Sequence, residues 1–190
     1  MAKILHKPQF IIIIFLLHFL TTIHSKPFSR NLSEKQLSFK NEKQTHLHFY
    51  FHDIVAGRHP TAVKVASATT TNATRSLFGL VMVMDDPLTV GPEPESKLIG
   101  RAQGMYASAD LKELGFLMVL NYYFMEGECN GSTLSILGRN AALTAVREMP
   151  VVGGTGIFRF ARGYAQAKTY SADYKSGNVV VEYDVFVLHY

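Results

Sequence analysis

From His46 the chain alternates with a period of two, with Leu47, Phe49 and Phe51 on one face and His46, His48, Tyr50 and His52 on the other. That is the pattern of a half-buried strand. Similar segments follow at Thr61–Ala68, Ser76–Met84, Leu98–Ser108, Leu114–Met125, Ser132–Gly138, Gly156–Lys168 and Asn178–Tyr190, which makes eight. The turn signals between them include Asp86-Pro87, Gly91-Pro92, Asn130-Gly131 and Ser176-Gly177. Most connections are too short for crossover helices, so the expected topology is an antiparallel meander. Eight such strands can close into an all-β barrel without edges, its interior large enough for side chains or one small ligand. A two-sheet sandwich is the other arrangement. With 190 residues, no Trp, 13 Phe and 9 Tyr, the chain holds one domain's core and leans to β-structure.

The start of the chain is of another kind. Met1 to Lys7 carries two lysines and no acid, and Phe10 to Leu20 is an 11-residue run that is apolar except for His18. It is short for a bilayer span, and with the small residues of Thr21 to Ser25 it reads as a signal peptide over residues 1–25. Residues 26–44 are polar and lack a sustained period, which suggests a flexible leader to a domain over 45–190. Secretion agrees with three glycan acceptor sequons, at Asn31, Asn72 and Asn130. The single cysteine, Cys129, forms no internal bridge, and without a base beside it reads as an inert thiol.

Net charge is +4, from 19 basic and 15 acidic residues, and removal of the two leader lysines lowers it to +2. Such a dispersed balance gives no footprint for nucleic acid. No membrane contact is expected once the signal peptide is cut. The segment Leu114–Met125 has apolar residues on both faces, Leu114, Phe116, Met118 and Leu120 on one, Leu117, Val119, Tyr123 and Met125 on the other. The outer face needs a cover. A subunit interface would supply it, making a homo-oligomer; the alternative cover is a loop over Ala141–Pro150.

Asp53 ends the first strand on the face of Leu47, Phe49 and Phe51. Strand geometry then points its carboxyl toward apolar surroundings, which raises its pKa into the range of a proton donor. The alternative is a cap for the Ile54–Gly57 turn. By the same alternation Asp85 continues the face of Val81 and Val83 and completes an acid and base pair with Asp53, while Asp86 points away. Asp-Pro as a turn opener is the competing account of both. Arg147 is a candidate to hold a phenolate or oxyanion, or else forms a surface pair with Glu148.

Three other signals carry less. His46, His48 and His52 lie roughly 7 Å apart along one face, wide for shared ligation, so no metal site is assigned. The run Gly153 to Gly156 lacks the residues of a phosphate loop and reads as a tight turn into a strand. No serine sits in a nucleophile elbow.

Seven motifs, Phe49-Tyr-Phe-His-Asp-Ile54, Met84-Asp-Asp-Pro-Leu-Thr89, Gly100-Arg-Ala-Gln-Gly104, Asn130-Gly-Ser-Thr-Leu134, Val146-Arg-Glu-Met-Pro150, Val152-Gly-Gly-Thr-Gly156 and Phe160-Ala-Arg-Gly163, stand in an order that resembles the plant dirigent family. The resemblance runs from about His46 to Tyr190. It implies an eight-stranded barrel, commonly trimeric, secreted to the cell wall space, with a pocket at one mouth and no cofactor. Lignan-forming members align phenoxy radicals made by a separate oxidase, a laccase or peroxidase, so that coupling is stereoselective. The related pterocarpan synthases dehydrate an isoflavanol through a quinone methide. Positioning is common to both. A third possibility is a non-catalytic wall or defence protein that only binds.

The resemblance further assigns Asp53 and Asp85 as pocket acids, Arg147 as the mouth arginine and Tyr106 as a substrate contact. Asn140, a further candidate substrate contact, stands where lignan-forming members typically carry an aspartate, and the wording around it is closer to the branch that contains the pterocarpan synthases.

Overall fold

The computed structural model describes residues 28–33, 37 and 41–190. The signal-peptide reading and part of the leader fall outside these residues. The strands, in chain order, are β1 (Lys43–Asp53), β2 (Ala62–Ala66), β3 (Val81–Thr89), β4 (Leu98–Ser108), β5 (Gly115–Phe124), β6 (Thr133–Ala141), β7 (Arg147–Thr155), β8 (Arg162–Ala172) and β9 (Val179–His189). Their order is β1-β9-β8-β7-β6-β5-β4-β3-β2, all antiparallel, and a β1–β3 pairing closes the ring. The result is an eight-stranded antiparallel barrel with β2 outside the ring, paired to β3 alone.

The expected number of barrel strands is right, yet the membership differs in one place. Thr61–Ala68 contributes the outside strand β2, and Arg147–Thr155, expected as loop and turn, is barrel strand β7. Pro150 and the glycine pair Gly153-Gly154 read as punctuation but occupy tolerant places. The β6–β7 register shifts between Ser135 and Ile136 and its pairing ends at Val151, so Pro150 meets no partner there. Gly154 permits a close approach, because a Cβ would lie 2.6 Å from the carbonyl oxygens of Thr133 and Phe158.

The interior follows from a large-against-small rule. On β4 the inward column is Gly100, Ala102 and Gly104, paired with Phe124, Tyr122 and Leu120 of β5. On β8 it is Gly163, Ala165 and Ala167, paired with Val187, Val185 and Tyr183 of β9. These small residues leave room for Phe49, Tyr122 and Tyr183, which are buried at the centre with ring centroids 5.0 to 5.7 Å apart.

The outer face of β5 stays uncovered. Leu117 and Val119 remain 43% and 42% exposed, so the loop before β7 does not pack over them. Val119 belongs to a straight cross-strand row of Val63, Val83, Met105, Val119 and Leu137.

Filling one of the small columns should be costly. Replacing Ala102, fully buried against Tyr122, by leucine is expected to destabilise the barrel by about 1–3 kcal/mol. Thermal denaturation measures the loss, while Met105→Leu on the outer face should leave the midpoint unchanged.

Candidate functional site

The inward residues at the end of β1 meet those of β3 at the barrel's closing seam. Tyr50 pairs with Thr89 and Phe51 with Leu88. Carrying that register two residues on sets Asp53 across from Asp86. Here β1 ends, and the segment that follows it folds over, with the amides of Thr61 and Ala62 both donating to the Ile54 carbonyl. The Asp86 carboxyl, with no exposed surface, accepts from the Thr61 hydroxyl. From β4, the Tyr106 hydroxyl donates to Asp53 Oδ2 at 3.1 Å. One oxygen of each acid, Asp53 Oδ1 and Asp86 Oδ2, is buried without a hydrogen-bond partner.

This arrangement corrects the reading of the paired acids. Asp85 shares the face of Val83, as the alternation says, but that face is the outside of the barrel. There desolvation is the largest single influence on Asp85 and raises its pKa, but the hydrogen bonds it accepts from Arg101 Nε at 2.7 Å and Gln103 Nε2 at 3.0 Å, together with the Arg101 charge, outweigh it and lower the pKa. Asp86 is the inward acid and the one the sequence reading missed. Val81 and Val83 are as apolar as Met82 and Met84, so hydrophobicity does not tell inside from outside here. The cap reading of Asp53 also falls away, because Asn178 Oδ1 accepts from the amides of Val55 and Ala56 and so holds that turn.

Burial, partly offset by the Tyr106 hydrogen bond, lifts Asp53 to about 6. Burial and then the neighbouring Asp53 charge lift Asp86 to about 8, against the opposing Thr61 bond. Two such carboxyls titrate as a pair, and between those values the pair keeps one proton.

A second polar group lies at the same end, from the start of β7 and the end of β6. Arg147 is only 4% exposed and points inward, while Glu148 faces out to Gln166. Arg147 Nε donates to Asn140 Oδ1 at 3.1 Å, and Nη1 donates to Thr169 at 3.0 Å. The guanidinium thus has neutral partners, and burial lowers its pKa. Tyr183 is within electrostatic reach of Arg147, Asp53 and Asp86; burial pushes it up to about 12, so its phenol stays neutral.

A cleft of about 400 Å³ opens along the rim, lined among others by His52, Asp53, Pro87, Asn178, Val179 and Val180. Of the sequence-predicted residues only Asp53 lines it; Tyr106, Asn140 and Arg147 lie in the barrel interior. His52 turns outward and bonds Thr89 at 2.7 Å, whereas His46 and His48 bond Asp184 and Glu182 at 2.8 and 3.0 Å. Among the described residues no His, Cys, Asp and Glu side chains group to hold a metal ion. Cys129 is free and half-buried, its thiol raised by desolvation and by Glu128.

An acid pair at the closing seam of an eight-stranded barrel, with an inward arginine at the same end of the barrel, is a candidate small-molecule site. The dirigent-like protein family model matches residues 44–188, and the chain belongs to that family. Among its relatives is pterocarpan synthase 1 of Glycyrrhiza echinata, 54% identical over 90% of this chain and 92% of the relative. Dirigent protein 21 of Arabidopsis thaliana is also 54% identical, over 89% of each chain. The solved structure of the pterocarpan synthase dirigent protein GePTS1 superposes with a TM-score of 0.75 at 59% identity, covering 80% of this chain and 88% of that one. That of PsPTS1 gives 0.74 at 56% identity, covering 80% and 99%.

The raised acids make stability depend on pH. A carboxyl whose folded pKa lies above its unfolded value favours folding while neutral and opposes it once pH passes the unfolded value and climbs through the folded one. The melting temperature of Asp86→Asn should therefore gain on wild type as pH rises from about 4 to 8, the window between the ordinary carboxyl value and that of Asp86. A constant difference across that range would contradict the buried acid.

Proposed function

We propose that the protein is a dehydrating member of its family, which removes water from a phenolic substrate with a benzylic hydroxyl and directs closure of the resulting quinone methide. The observation that carries this reading is the buried pair Asp53 and Asp86, which keeps one proton near neutral pH and of which Asp53, held by Tyr106, lines the rim cleft. A general acid works best with a pKa close to the operating pH. Arg147, which has no carboxylate partner among the described residues, favours negative charge as the phenolic oxygen loses its proton, and Asn140 holds its orientation. Tyr106 serves the acid end, through Asp53. Relatives named pterocarpan synthase, at 50–54% identity, support the same reaction class.

The competing reading is stereoselective coupling of phenoxy radicals supplied by a separate oxidase, and one pair of incubations separates the two. Purified protein with an isoflavanol and no oxidant should release the cyclised product, and Asp53→Asn should lower turnover by about 10²–10⁴-fold. No turnover, combined with an enantiomeric excess from coniferyl alcohol plus a one-electron oxidant, would reverse the assignment.

We further propose a secreted homotrimer. Asn31, Asn72 and Asn130 are all exposed, as glycan acceptors must be. The row Val63, Val83, Met105, Val119 and Leu137, 39–48% exposed, gives a subunit contact bordered by the polar row Asp85, Gln103, Asn121 and Ser135. Val119→Glu should convert the assembly to monomers in sedimentation velocity with the circular dichroism spectrum retained. An unchanged sedimentation coefficient would remove this row from the interface.

A further inference from the structure

The sequence reading names Asp53 as the acid and gives Asp86 no part, but the structure arranges the two differently. Asp86 has no exposed surface, stands across from Asp53 when the closing-seam register is carried on, feels the Asp53 charge, and keeps Oδ2 without a partner, as Asp53 keeps Oδ1. Buried carboxyl oxygens left unsatisfied are costly unless a ligand group completes them. A hydroxyl does so, because it accepts from one carboxylic acid and donates to the other carboxylate.

We propose that the leaving hydroxyl of the substrate seats between Asp53 and Asp86, with Asp86 as the catalytic proton donor and Asp53 as the ionised acceptor that orients it. This rests on the dehydration reading above. The Asp86 proton passes to the hydroxyl oxygen, the C–O bond breaks, and its electron pair leaves with water. Electrons come from the phenolic oxygen, whose own proton passes to solvent, and a quinone methide remains. When the second phenol attacks the quinone methide, its proton returns to the Asp86 carboxylate, and the former quinone methide oxygen takes one from solvent. The site ends as it began, without oxidant or reductant.

The two roles follow from surroundings. Asp53 accepts the Tyr106 hydrogen bond, which favours its ionised form. Asp86 has only the Thr61 hydroxyl, deeper burial and the Asp53 charge against it. The other titratable or charged groups near the pair are Tyr183 on β9, which stays neutral, and Asp85 and Arg101 on the outer faces of β3 and β4, which bond each other. His52, next to Asp53 on the outer side, is held neutral by burial.

The pH–rate profile of isoflavanol dehydration distinguishes a proton donor from a structural acid. In wild type the alkaline limb should lie near 8, the Asp86 value. In Asp86→Asn the limb should move down to about 6, leaving Asp53 as the only acid, with turnover at pH 7 lowered by about 100-fold or more. Asp86→Glu should recover part of the rate and the higher limb. An Asp86→Asn enzyme with wild-type rate and profile would overturn the proposal.

A binding readout separates this inference from the functional reading. On adding 4-hydroxybenzyl alcohol to wild type labelled with ¹³C at aspartate carboxyls, the Asp53 and Asp86 signals should move together. If they do so in a protein inert toward isoflavanols, the hydroxyl subsite stands and the dehydration reading falls. If neither signal moves, the subsite is wrong even in an active enzyme.

Discussion

The barrel closes through a short seam in which Tyr50 pairs with Thr89 and Phe51 with Leu88, and the rest of the site depends on it. Beyond those pairs β1 leaves the sheet at Ile54 and β2 takes its place against β3. The fork brings two inward positions face to face at a mouth, and both are aspartates. Elsewhere in a sheet, like charges directly opposite are destabilising. Here burial resolves the conflict by keeping one of the two neutral. The strain on the ladder and the chemistry of the site have one origin.

The packing around the seam supports that state. Small residues on β4 and β8 make space for Phe49, Tyr122 and Tyr183, whose buried rings pack on one another in the barrel. A core so filled keeps water from the carboxyls, which raises their pKa values, and from the guanidinium, which weakens its hydration. Tyr183 is influenced by both polar groups and stays protonated between them. The interior therefore holds two separate polar groups, the acid pair at the β1–β3 seam and Arg147 on β7 across the barrel.

The first strand was legible because its faces differ in kind: Leu47, Phe49, Phe51 and Asp53 against three histidines and one tyrosine. The facing of Asp53 followed from the same contrast. Along β3 the contrast fails. Val83 and Met84 are equally apolar because the outer face also carries an apolar row, so alternation gave the parity of Asp85 and Asp86 but not which of them points inward. Strand β7 was hidden by Pro150 and two glycines, whose tolerance depends on a bulge that only the pairing of β6 reveals. Arg147 was visible as a candidate, but its inward aim required knowing that it begins a strand. The family motifs supplied Tyr106, and its bond to Asp53 joins residues 53 positions apart, beyond any local signal.

The central claim is that one proton stays between two facing carboxyls at neutral pH. The most direct measurement is a joint neutron and X-ray structure of the deuterium-exchanged protein at pH 7. The account predicts a deuteron on Asp86 and none on Asp53, with the Tyr106 deuteron directed at Asp53. Two ionised carboxylates turned apart, or a deuteron on neither acid, would contradict it.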